Sequence, residues 1–152
     1  MIRYVLVAIL AVAIIGVSMP MMQDAAEANG ERRAETAVAD IEAAAVSLLE
    51  NEELSPPGEP GPRRFVDVRL PGDSLLSAPL VAFEIDRIDD RNVSEATYQV
   101  EGRTSRTTVV DAPIVAPDGR AVVLGGDGNE RTLALTLERG DDGNRVVVLR
   151  RQ

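Results

Sequence analysis

Twenty residues from Tyr4 to Gln23, YVLVAILAVAIIGVSMPMMQ, carry no charge. A helix of that length rises about 30 Å, the thickness of a bilayer's hydrocarbon core, so the pattern predicts a transmembrane helix within residues 1–23. Gly16, Ser18 and Pro20 weaken its second half, and the stretch also has the form of a secretory signal peptide. In that form Met1-Ile2-Arg3 is the n-region, Tyr4 to Val17 the h-region, and Ala26-Glu27-Ala28 the small-residue cleavage site before Asn29. Asp24 in the long stretch between h-region and site, and Glu27 within the site itself, argue against efficient cleavage. A retained anchor is therefore the expectation.

Over residues 24–54 the pattern becomes that of an amphipathic helix. Ala34, Ala37, Ile41, Ala44 and Leu48 recur at helical spacing, Val38, Ala45 and Leu49 widen the stripe, and Arg32, Arg33, Glu35, Asp40, Glu42 and Glu50 fill the opposite face. This helix interaction face must be covered, either by a second helix or, more commonly, by the protein's own sheet. Nothing between Glu31 and Glu53 breaks the helix, so span and stripe can form one rod of about 70 Å, kinked near Pro20 or Gly30. Residues 55–62, SPPGEPGP, end it and form a stiff linker.

Beyond the linker the period is two. Arg64 to Leu70, Leu80 to Ile88, Ala96 to Glu101, Thr107 to Asp111, Arg120 to Leu124, Arg131 to Arg139 and Arg145 to Arg150 read as strands, with Val66, Val68, Leu70, Val81, Phe83, Ile85, Tyr98, Val100, Leu133, Leu135 and Leu137 as their apolar positions. Pro71-Gly72-Asp73, Pro117-Asp118-Gly119, Gly125 to Asn129 and Gly140 to Asn144 supply turns between them. Short links favour antiparallel neighbours, so residues 63–152 are expected to form a mostly antiparallel β head. The fold class is α+β, a long N-terminal helix followed by that head. Only 3% of residues are aromatic, which leaves the sheet a thin core, and docking of the stripe on it would supply the missing apolar area.

Composition narrows the chemistry. The 152 residues contain no Cys and no His, which removes thiol nucleophiles, disulfides, His-assisted triads and the usual zinc ligand sets. All 16 basic residues are Arg, so Schiff-base lysines and the P-loop lysine are absent too. Against them stand 25 Asp and Glu, and the net charge of −9 disfavours nucleic acid as a partner. A third possibility, a carboxylate- or metal-dependent hydrolase, has only the acidic turns behind it. Asp127, Asn129 and Glu130, or Asp141, Asp142 and Asn144, could offer oxygens to Ca²⁺, but neither set has the EF-hand spacing and the same residues suit tight turns. Asp86, Asp89 and Asp90 would need a pocket to act as an acid/base pair, and adjacent strand positions face opposite ways. Gly125, Gly126 and Gly128 precede no helix and make no phosphate loop. Arg103, Arg106, Arg150 and Arg151 read as solvated charges paired with the acidic excess. No catalytic residue, cofactor site or metal site is assigned.

Two resemblances follow. Excess carboxylate with Lys wholly replaced by Arg resembles the proteome style of extremely halophilic archaea, where concentrated salt shortens the Debye length to roughly 3 Å or less and silences self-repulsion. Ala13-Ile14-Ile15-Gly16 followed by Pro20, and the continuation into an Ala-rich helix, linker and β head, resemble the N-terminal plan of type IV pilins and pseudopilins, in particular small single-helix haloarchaeal membrane proteins of unknown function. The resemblance implies a non-enzymatic component of a type IV pilus or secretion system, anchored through residues 4–23 and meeting other pilin-like subunits through its N-terminal helix. No Glu stands near the start of the apolar run, where pilins carry one for subunit registration, so an accessory component is expected. The implied location is the cell membrane, single-pass with the C-terminal head extracellular. The alternative is a secreted or surface β-rich binding module released by cleavage before Asn29.

Overall fold

The computed structural model describes residues 2–56, 58–89 and 91–152, the Val17 side chain excepted. Met1 of the expected n-region, Pro57 of the linker and Asp90 of the candidate carboxylate group therefore lie outside the described residues. Among the described residues a single α-helix, α1, runs from Ile2 to Asn51 and contains Pro20. Span and amphipathic stripe are thus one element about 75 Å long. The Asn51 side chain donates to the Ser47 carbonyl at 2.9 Å, and the Pro-rich segment that follows cannot continue the helix.

Among the described residues eight strands follow: β1 (Arg63–Arg69), β2 (Leu80–Arg87), β3 (Ser94–Val100), β4 (Arg106–Val110), β5 (Ile114–Val115), β6 (Val122–Val123), β7 (Glu130–Arg139) and β8 (Arg145–Arg151). They form two four-stranded sheets, ordered β1-β7-β8-β5 and β4-β3-β2-β6. Every pairing between these strands is antiparallel except β5 with β8. The strand expected over Arg120 to Leu124 contracts to Val122–Val123, and β5 has no counterpart in the sequence reading. β5 is too short for a period to register. It is held instead by the buried Ser94, whose hydroxyl donates to the Ala112 carbonyl and accepts from the Ile114 amide, both at 2.8 Å.

One expected core position is corrected. Val81 is exposed, because the β2–β3 register slips between Leu80 and Ala82 and this irregularity breaks the alternation that continues through Phe83 and Ile85. Val66 is only half-buried, whereas the other named apolar strand positions are inside. On β7 both faces are covered: Leu133, Leu135 and Leu137 enter the main core, while Ala134 and Thr136 are buried on the other side.

The main core is continuous between helix and sheets. Ala34, Ala37, Val38, Ile41, Ala45 and Leu48 of α1 share it with Val68, Phe83, Ile85, Leu133, Leu135 and Val147 among others. Burying Val38, Ile41 and Leu48 alone contributes roughly 5–9 kcal/mol of gross transfer free energy, an upper estimate for an extended unfolded chain. The end of the linker lies along β7, where Gly61 sits against Leu137 and the Leu137 amide donates to the Pro62 carbonyl at 3.0 Å. The linker therefore joins two parts of one core.

Candidate functional site

Two stretches of α1 have opposite surroundings. In the stripe, Ala34, Ala37, Ile41 and Leu48 are fully buried and Ala44 is half-buried against the same core, so this interaction face is occupied by the protein's own head. From Ile2 to Met22 the large apolar side chains described are all exposed, Tyr4, Leu6, Ile9, Ile14 and Met21 among them. An exposed apolar surface of this extent is unstable in water and needs an apolar phase or partner. The segment is near the N-terminus and is long and apolar enough to cross a membrane.

The junction between these stretches is clamped at residues 26–31. The Ala78 amide donates to the Ala26 carbonyl at 2.9 Å, and the Asn29 side chain donates to the Leu76 carbonyl at 3.0 Å. Arg103 lies 3.1 Å from the Glu27 carboxylate, and Arg106 is paired with Glu31. The two arginines read from sequence as solvated charges are thus tied to the helix, across a separation in sequence that no local pattern reveals. Gly30 makes the close approach possible: a Cβ there would lie 2.7 Å from the Ala78 carbonyl oxygen and 2.9 Å from a Val100 methyl.

The acidic turns are satisfied internally. Asp127 accepts from the Asn129 amide at 3.1 Å and from Arg131 at 2.9 Å, and these bonds hold its carboxyl down at about 2. Asp142 accepts from Arg87 at 2.5 Å and from the Asn144 side chain and amide at 3.0 Å, which likewise holds it at about 2. Each turn is closed on itself by short-range bonds and by one arginine, and the positive guanidinium opposes a cation at the same oxygens. Glu130 is turned away to Arg69 at 3.0 Å, and Asp141 is exposed. Among the described residues no group of three or more acidic side chains is placed to hold a metal ion. Asp86 and Asp89 are exposed. Arg150 pairs with Glu138 at 3.1 Å and Arg151 is exposed.

A groove of about 490 Å³ between α1 and β1 is lined by Asn29, Arg32, Arg33, Asp40, Asp67, Arg69 and Glu130. Its charges are of both signs, and Asp67 already accepts from Thr132 at 2.6 Å while Arg69 holds Glu130. Burial pushes the Tyr98 phenol up from its ordinary value, with Glu35 adding to the rise and Arg106 opposing it. The side chain is a core member. The site the geometry marks out is therefore the exposed apolar half of α1 together with the clamped junction beneath the head.

The chain belongs to the DUF7311 family, a domain of unknown function, whose family model matches residues 1–152. No curated protein and no solved structure matches it.

Proposed function

We propose that this protein is a non-enzymatic, single-pass membrane protein whose first helix half anchors it and whose β head projects outside the cell. On the pilin-like plan described above, it serves as an accessory component of a type IV pilus or secretion system of a halophilic archaeon. The observation that carries the anchor is the contrast within one helix, apolar and exposed up to Met22, with its apolar face buried against the head from Gly30 onward. A rod with its upper half docked on antiparallel strands and its lower half available to lipid or to other helices suits assembly by side-to-side helix packing. Ala11, Ala13 and Gly16 would permit close approach there. Arg3 favours a cytoplasmic N-terminus, with Arg32 and Arg33 on the far side weakening that bias.

The alternative, a secreted module beginning at Asn29, is disfavoured by the junction. Cleavage after Ala28 would remove Ala26, the acceptor for the Ala78 amide, and Glu27, the partner of Arg103. The scissile bond would also lie inside a helix packed against the head. Fractionation of native cells with intact-mass measurement tests the anchor: a membrane-bound chain retaining residues 4–23 is expected, and a chain starting at Asn29 in the medium would overturn it. Deleting the gene tests the assembly role. Unchanged surface filaments and secretion would refute that part while leaving the anchor standing.

A further inference from the structure

The loop between β1 and β2 ends in an unusual tip. Ser74 and Ser77 pair through two backbone hydrogen bonds, of 3.0 and 3.2 Å, and hold Leu75 and Leu76 at the apex of a tight turn. Turn apices favour Gly, Asn, Asp, Pro and Ser because the backbone there is bent and wet. Here two leucines occupy the apex and are 85% and 69% exposed. Neither is a member of the core; Leu76 lines one side of the groove between α1 and β1, and for Leu75 packing within the head gives no reason for its chemistry.

Their position gives one. The loop is fixed to α1 both at its base, where the Ala78 amide donates to the Ala26 carbonyl, and at its apex, where the Leu76 carbonyl accepts from the Asn29 side chain. Ala26 and Asn29 stand three and six residues past Gln23, a rise of about 4.5 to 9 Å. The headgroup layer on each side of the hydrocarbon core is about 5–8 Å deep. Met22, exposed and one helical turn below Ala26 on the same face, extends the apolar surface downward toward the span. Arg32 and Arg33 are exposed just above, at a height from which long cationic side chains reach lipid phosphates.

We propose that Leu75 and Leu76 form a second membrane contact, dipping into the interfacial layer of the bilayer that residues 4–23 cross. The proposal rests on the reading of that segment as a retained span. The occupant is the lipid surface, and because head and helix already share one core, the contact would fix the tilt of both relative to the bilayer plane.

The chain has no Trp, so single Trp residues report depth without interference. Full-length protein is reconstituted into phospholipid vesicles as three variants: Leu75→Trp, Ile14→Trp in the middle of the span, and Val109→Trp on an exposed strand of the head. Each is quenched with aqueous acrylamide and with lipids brominated either near the headgroup or near the chain end. Leu75→Trp is expected to respond to shallow bromines, to ignore deep ones, and to be quenched by acrylamide several-fold less than Val109→Trp. Acrylamide quenching equal to that of Val109→Trp, with no response to bromines, would overturn the proposal while deep quenching of Ile14→Trp preserved the anchor. Protection from acrylamide without bromine quenching would assign the tip to a protein contact and overturn the lipid contact. Absence of bromine quenching at Ile14→Trp would remove the anchor reading and this proposal with it.

Discussion

Replacing Gly30 with Ala separates two physical expectations of opposite sign. Gly30 lies inside α1, where exchange of Gly for Ala gains about 0.8–1.0 kcal/mol through helix propensity alone. The added methyl, however, would lie 2.7 Å from the Ala78 carbonyl oxygen and 2.9 Å from Val100 Cγ1. Neither neighbour moves easily, since the Ala78 amide is bonded to Ala26 and Val100 is buried on the head's inner face. Overpacking costs about 1–3 kcal/mol, and with two neighbours that cannot give way the upper part of that range, about 2–3, applies, so the net is a loss of about 1–2 kcal/mol. At a slope of about 1–2 kcal/mol per molar urea, the unfolding midpoint should drop by about 0.5–2 M. The assay is urea unfolding of full-length protein in mild detergent, followed through the β signal in circular dichroism and the fluorescence of the buried Tyr98. Gly16→Ala is the internal control, because nothing lies within 4 Å of a Cβ built there. A Gly30→Ala midpoint equal to or above that of the native chain would refute the close approach of helix and loop.

Ser94→Ala should cost about 1–3 kcal/mol, since it strands the buried Ile114 amide, and amide exchange at Ile114 should accelerate; a midpoint within scatter of the native value would show that β5 is held by something else. Asp127 and Asp142, lowered from 3.8 to about 2, lend stability that is present above the unfolded-state value and lost as pH falls from that value through about 2. The double variant Asp127→Asn, Asp142→Asn should therefore flatten the acid limb of a midpoint-versus-pH curve, and an unaltered limb would show that other groups set it. Calcium should leave Tm unchanged, because both turns are already closed by arginine and Asx bonds; a rise with Ca²⁺ that is absent with Mg²⁺ would restore them as sites.

The parts legible in sequence were those with a local signal. An uncharged stretch of 20 residues announces a bilayer-length helix whatever surrounds it, and Leu133, Leu135 and Leu137 alternating with smaller or polar residues announce a strand. The stripe from Ala34 to Leu48 required a covering surface, and it is the sheets that supply it. What sequence did not disclose depends on pairing between distant residues. The strand at Ile114 exists because Ser94 bridges to it, Val81 faces out because a register slips, and Arg103 and Arg106 find Glu27 and Glu31 only once the head has folded onto the rod. Leu75 and Leu76 carry a signal that could have been weighed, two large apolar residues soon after Pro71-Gly72-Asp73, but their meaning depends on how near the loop lies to the span.

That nearness is itself open to manipulation. Only Asp24 and Ala25 separate the span's last residue from Ala26, the first residue bonded to the loop, and all lie in one unbroken helix. On the proposed anchoring, the helix acts as a ruler that sets the head's height above the hydrocarbon. Inserting four alanines between Gln23 and Asp24 would raise the head by about 6 Å and turn it by about 40°. The head's own contacts from Ala26 onward are untouched, so its unfolding midpoint should not change. In the same lengthened chain, Leu75→Trp should become open to acrylamide and lose its shallow bromine quenching, because the tip has been lifted out of the headgroup layer. Persistent quenching at unchanged depth would mean that the helix slides or tilts to keep the tip in lipid, and that the loop rather than the length of the rod determines where the head rests.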